Sequence, residues 1–133
     1  RYSMYDLPEA NFLRGVGVSD AQGRVRVQTI LPGCYPGRWP HIHFEVFESA
    51  EAAVTGRASI LTSQIALPED ICAAVYEEDP RYAASTRSFP RISLTRDGIF
   101  RNNSEAEIAQ QTPVMEGTVR DGYRGVMTIP LAL

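Results

Sequence analysis

The chain has two histidines, and both fall in one run, Pro40-His41-Ile42-His43-Phe44-Glu45-Val46-Phe47. The alternation predicts a strand, and residues two apart on a strand share a face. His41 and His43 then stand roughly 6.5–7 Å apart at Cα, and their imidazoles can converge on one metal ion with bonds of about 2.0–2.1 Å. Ile42, Phe44 and Val46 face the other way and anchor the strand in a core. A His-x-His pair has a plainer reading too, as two solvent-facing or hydrogen-bonded side chains. With no third histidine in the chain, any further ligand has to be carboxylate, thiolate or phenolate.

Tyr35 lies six residues before His41, in the loop that feeds this strand. Phenolate is a hard anionic ligand, and beside imidazole it suits Fe(III) better than zinc or Fe(II). A phenol ordinarily ionises at about pH 10, but a trivalent cation overturns that logic. The other reading of Tyr35 is a loop side chain packed on Pro36 or Trp39. Cys34, next to it, is a soft donor that would suit a different metal, and is read as a small buried loop residue.

The elements that must carry these residues are short alternating runs broken by turn residues, which predicts an all-β sandwich of mostly antiparallel strands with one short helix. Strands are expected over Phe12–Val18 and Arg24–Ile30, joined by a turn at Asp20–Gly23. Residues 31–40, rich in proline and glycine, form a shaped loop. The histidine strand follows, then a small polar excursion over Glu48–Gly56 and a strand over Ala58–Ala66. Pro68-Glu69-Asp70 opens the helix, whose apolar stripe is Ile71, Cys72, Val75 and Tyr76; Pro80 closes that region. Arg91–Leu94 is a short strand, Asn102–Gln111 a loop or weak helical turn. Val114–Val119 and Tyr123–Leu131 make a terminal hairpin about Arg120-Asp121-Gly122.

Composition bounds the function. The 133 residues make one domain with room for a core. A net charge of −3 gives no electrostatic support for nucleic-acid binding. All thirteen basic side chains are arginine, so Schiff-base and P-loop lysine chemistry is excluded. No stretch is long enough for a membrane span and no secretory signal is present. Cys34 and Cys72 leave the redox compartment open, Asn102-Asn103-Ser104 is a glycosylation triplet of the kind that occurs by chance, and localisation stays open.

The run Asp20-Ala-Gln-Gly-Arg-Val-Arg-Val-Gln-Thr-Ile-Leu-Pro-Gly-Cys-Tyr35-Pro-Gly-Arg38-Trp-Pro-His41-Ile-His43-Phe resembles the signature of the intradiol ring-cleavage dioxygenases, which include catechol 1,2- and protocatechuate 3,4-dioxygenases. Arg1-Tyr2-Ser3 with Asn11-Phe12-Leu13-Arg14-Gly15 resembles the segment bearing that family's first tyrosine ligand. Leu61-Thr62-Ser63-Gln64 resembles the strand bearing a substrate-facing glutamine. The likeness implies a β-sandwich holding non-haem Fe(III) on Tyr2, Tyr35, His41 and His43. It also implies that Arg38 and Gln64 face the substrate, and that Tyr35 accepts a proton from a catechol whose ring O2 then opens to a muconate-type diacid. Arg38 would stabilise developing negative charge without needing protonation; otherwise it is a surface arginine on a loop, and Gln64 an ordinary half-buried strand residue.

The chain departs from the family in two ways. It opens one residue before Tyr2, where family members carry an upstream strand, so either an N-terminal segment is missing or a partner chain supplies it. Only Pro36 and Gly37 separate Tyr35 from Arg38, a short loop like that of single-chain, often exported members, which implies an open pocket. The expected partners are a catechol and O2, with no nucleic acid and no membrane; a homo-oligomer is left open. Two alternatives stand beside this reading. One is a His-x-His zinc or Fe(II) enzyme that uses Glu45. The other is a non-catalytic, transthyretin-like β-sandwich module presenting Trp39 and arginines to a ligand.

Overall fold

The computed structural model describes residues 13–132. Its secondary structure follows a mixed order: β1 (His41–Val46), α1 (Ala50–Thr55), β2 (Leu61–Ala66), α2 (Glu69–Glu78), α3 (Ala83–Ser88), α4 (Glu105–Gln111), β3 (Val114–Thr118) and β4 (Gly122–Val126). Four single 3₁₀ turns, at Pro80–Tyr82, Phe89–Arg91, Leu94–Arg96 and Phe100–Asn102, connect the middle of the chain. β1 pairs antiparallel with β2, β3 with β4, and the two ribbons form separate sheets.

This corrects the expected all-β sandwich with one short helix: the described residues hold four α-helices and four strands in two two-stranded sheets. The alternating valines of residues 13–30 are the source of the error. Their turn forms as expected, with Asp20 Oδ1 accepting from Gln22 N and Arg24 N and Gly23 in the left-handed region at φ +74°. The flanking arms, however, make no ladder, and Val16, Val18, Val25, Val27 and Ile30 are exposed. Period-two alternation specifies a strand only where a second layer covers its apolar face, and no such layer lies over these arms among the described residues. The transthyretin-like alternative, which needs a sandwich, loses its scaffold for the same reason.

Other elements were hidden by their polarity. The excursion over residues 48–56 is α1, capped by Ser49 Oγ on Ala52 N and ended by Gly56 at φ +72°. The polar stretch after Asn103 is α4, started by a capping box in which Ser104 and Glu107 satisfy each other's backbone N–H groups. At the expected strand Arg91–Leu94 only Ile92 and Ser93 are extended, they join no ladder, and 3₁₀ turns flank them at Phe89–Arg91 and Leu94–Arg96. α2 forms over its apolar stripe, burying Cys72, Val75 and Tyr76.

The core is two clusters. Leu67, Cys72, Val75 and Tyr76 form one; Trp39, Ala66 and Phe100 form the other, and Phe89 packs against both. The second cluster lies directly beneath the start of β1, so the histidine strand is mounted on a buried aromatic base.

Candidate metal centre

The loop before β1 is held by helices rather than by a sandwich. Tyr82 Oη donates to the Leu31 carbonyl at 2.6 Å, Tyr76 Oη donates to the Pro32 carbonyl at 2.8 Å, and Cys34 N donates to Ser85 Oγ at 3.1 Å. Gly33 lets the backbone come this close, since a Cβ there would meet Ser85 Oγ at 2.7 Å. Three anchors from the α2–α3 region therefore fix the residues leading to Tyr35.

Tyr35-Pro36-Gly37-Arg38 is then a tight turn. Arg38 N donates to the Tyr35 carbonyl at 3.2 Å, and Gly37 has φ +84°. Proline second and glycine third, at positive φ, is the chemistry of a type II turn. The turn brings both side chains to the same end of β1: Arg38 Nη1 donates to Tyr35 Oη at 3.3 Å. The ring of Tyr35 stands edge-on to that of His41, centroids 6.1 Å apart.

His41 is arranged as a ligand would have to be. Its Nδ1 lies 2.6 Å from the Trp39 carbonyl oxygen, which can only accept, so the proton sits on Nδ1 and Nε2 presents its lone pair. Burial is the main reason its pKa falls below the ordinary imidazole value, with the charges of Arg38 and His43 adding to it against the Trp39 hydrogen bond and the Asp97 charge. The neutral form that metals bind is thus favoured. Phe100, fully buried, packs edge-on to the His41 ring at 6.5 Å.

Register places the next residue. His43 pairs with Gln64 across β1 and β2, so Gln64 shares the histidine face. Gln64 is buried, and its Oε1 accepts from Arg38 Nη2 at 2.6 Å. His43 Nε2 is 3.4 Å from Glu45 Oε1 on the same face, so its outer nitrogen is turned along the strand toward that carboxylate.

Of the six residues singled out in the sequence, Tyr35, Arg38, His41 and Gln64 are thus joined through contacts of Arg38 and Tyr35. His43 lies on the same face of the ribbon, opposite Gln64, and Tyr2 lies outside the described residues. Trp39 does not wall a pocket: it is buried, donates from Nε1 to the Leu67 carbonyl at 2.9 Å and packs on Phe89. Cys34 and Cys72 are free thiols, and burial pushes Cys72 up to about 12.

One residue escaped the sequence. Asp97 is fully buried, and each of its oxygens takes two donors. Oδ2 accepts from Arg38 Nε at 2.9 Å and Trp39 N at 2.7 Å; Oδ1 accepts from Ile99 N at 2.7 Å and Phe100 N at 2.9 Å. Burial by itself would raise its pKa, but the N–H groups of Phe100, Ile99 and Trp39 and the Arg38 guanidinium together hold it below the usual carboxylate value. The signal for it was the pattern Asp97-Gly98-Ile99-Phe100, an acid placed to cap the amides two and three residues on.

The described donors fit a ferric site in kind: a phenol, an imidazole in the correct tautomer and a second imidazole on the same strand face. No cluster of three or more His, Cys, Asp or Glu side chains able to hold a metal occurs among the described residues. No helix among the described residues is long and apolar enough to cross a membrane. Comparison of the chain with protein-family models, with curated proteins and with solved structures finds no match.

Proposed function

We propose that the chain is a non-haem Fe(III) dioxygenase that opens a catechol ring between its two hydroxylated carbons. The observation that carries this reading is the Arg38 guanidinium. It bridges Tyr35 Oη and Gln64 Oε1 at the end of a strand whose His41 offers a bare Nε2. The resemblance of residues 20–44 to the intradiol signature gives the same assignment. The reading rests on this local constellation and not on the sandwich the resemblance implied, since a site and its scaffold are separate arguments.

Tyr35, His41 and His43, with Tyr2, would hold the metal. Bound Fe(III) would supply the Lewis acidity that favours ionisation of both catechol hydroxyls. The remaining work falls to side chains. Tyr35 Oη, half-exposed and within reach of Arg38, would accept one catechol proton in its phenolate form, and the other would pass to solvent hydroxide. Arg38 faces the negative charge that builds on the substrate oxygens, and its permanent charge needs no proton bookkeeping. Gln64 fixes one edge of the guanidinium and has an amide nitrogen left to donate. Overall, the bond between the two hydroxylated carbons breaks, both atoms of O2 enter the product, and a muconate-type diacid results.

The test is iron analysis and a visible spectrum of the Fe(III)-loaded protein, followed by oxygen uptake with a panel of catechols. The expected result is about one iron per chain, a tyrosinate charge-transfer colour and uptake of one O2 per catechol. A protein that stays colourless on ferric loading, or consumes no oxygen with any catechol, overturns the proposal.

A further inference from the structure

An arginine on a Pro-Gly turn has several free torsions and, left alone, samples many orientations. Arg38 does not have that freedom. Its Nε edge is taken by Asp97 Oδ2, which leaves Nη1 and Nη2 directed at Tyr35 Oη and Gln64 Oε1. Asp97 is itself immobilised, because three backbone N–H groups from two separate segments, Trp39 on one side and Ile99 and Phe100 on the other, saturate its remaining acceptor positions. Its hydrogen bonds all go to Arg38, Trp39, Ile99 and Phe100, and it reaches His41 only through its charge, so it acts on the site through Arg38.

We infer that Asp97 is a positioning residue, which acts through Arg38 to aim a fixed positive charge at the Tyr35 phenol oxygen and the ligand bound beside it. This rests on the function proposed above for the consequence in turnover, while the orientation of Arg38 stands independently of it. The chemistry of the carboxylate explains why no neutral residue substitutes. An asparagine that keeps its oxygen on Ile99 N and Phe100 N must point an NH2 at Arg38 Nε and Trp39 N, donor against donor. Misplacing a charge by an ångström is enough to cost about 100-fold in rate.

The experiment is a double-mutant cycle of Asp97→Asn and Arg38→Gln in the Fe(III)-loaded full chain, read as kcat and KM for catechol, beside the ¹⁵N-HSQC signal of Arg38 Hε in the metal-free full chain, where no paramagnetic ion broadens it. Asp97→Asn is expected to lower kcat about 10- to 100-fold with a smaller change in KM, and to add little once Arg38 is glutamine. A residue that merely stabilises the fold would give additive losses. The Arg38 Hε signal should be sharp and exchange-protected in the wild type and lost in Asp97→Asn. Asp97→Ser keeps a hydroxyl cap for Ile99 and Phe100 but is too short to reach Arg38, so it repeats the test if the asparagine variant does not fold. If the wild type turns over no catechol but its Arg38 Hε is protected and released by either substitution, the positioning role stands and only the enzymatic reading falls. An unchanged Hε signal in a folded variant, or fully additive losses in kcat, overturns the inference.

Discussion

Replacing Arg38 by methionine keeps much of the side chain's volume and removes its charge, and the structure sets the size of the response. Breaking a buried ion pair from one side costs about 3–5 kcal/mol where the stranded charge has no other partner. Here Asp97 keeps three of its four donors, and the Arg38 side chain is 17 % exposed, so part of that penalty is relieved. About 2 kcal/mol is the expected loss, which for a domain of this size corresponds to a fall in Tm of roughly 6–8 °C. The pH dependence has a definite sign. Asp97 is held below its ordinary 3.8 in the folded chain, so it contributes stability above the ordinary carboxylate range that is lost as pH falls through its depressed folded value. Removing Arg38 lets that folded value rise, so the gap between wild type and variant is widest above about pH 5 and narrows with acidification. Urea denaturation of the two proteins, at neutral pH and then stepwise down to the acid limit, measures both effects. A neutral-pH difference too small to resolve, or one that stays constant into acid, would refute the account of the Asp97 pair.

Tyr35→Phe is expected to weaken and shift the visible band, leaving the Tyr2 contribution, and to cut turnover by about 100-fold or more, the usual scale of a positioned proton acceptor, with iron still bound; metal analysis on the same sample separates the two effects. Because burial lowers the His41 pKa below the ordinary 6.5, the unfolded chain binds the extra proton first and stability falls as pH drops through that value. His41→Gln should remove this portion of the slope in a Tm-versus-pH series. Phe100→Ala, at a fully buried site under His41, is expected to cost about 3–5 kcal/mol in chemical denaturation, whereas Phe100→Leu should recover most of it. Gly37→Ala meets no steric obstacle but strains a residue at φ +84°, so a stability loss of about 1–2 kcal/mol should come with weakened metal binding as Tyr35 and Arg38 move apart.

The candidate site was more legible than the fold around it. His41 and His43 sit on a strand with Gln64 opposite, because period two is a local property that the pairing of β1 with β2 simply inherits. Residues 31–40 were read from their prolines and glycines as a shaped loop, and the Tyr35–Arg38 turn lies within it. α2 was visible in its proline, its acids and its stripe. The sandwich failed on a non-local question, namely what covers the valines of residues 13–30, and alternation carries no answer to that. α1 was missed, and α4 read only as a loop or weak helical turn, because Ser49 and Ser104 look like loop residues until the acceptor role of each hydroxyl is considered. Asp97 was missed because Asp-Gly reads as an ordinary turn, and its partner lies 59 positions earlier in the chain.

Trp39 is the chain's sole indole, and it is enclosed between Phe89 and the Leu67 carbonyl one residue away from Arg38. Its fluorescence is therefore a built-in probe of this neighbourhood and needs no label. Emission should be blue-shifted in the native protein and quenched when a paramagnetic, visibly absorbing ion occupies the adjacent face. Because Trp39 N and Arg38 Nε hang from the same carboxylate oxygen, a red shift ahead of global unfolding would show that oxygen letting go.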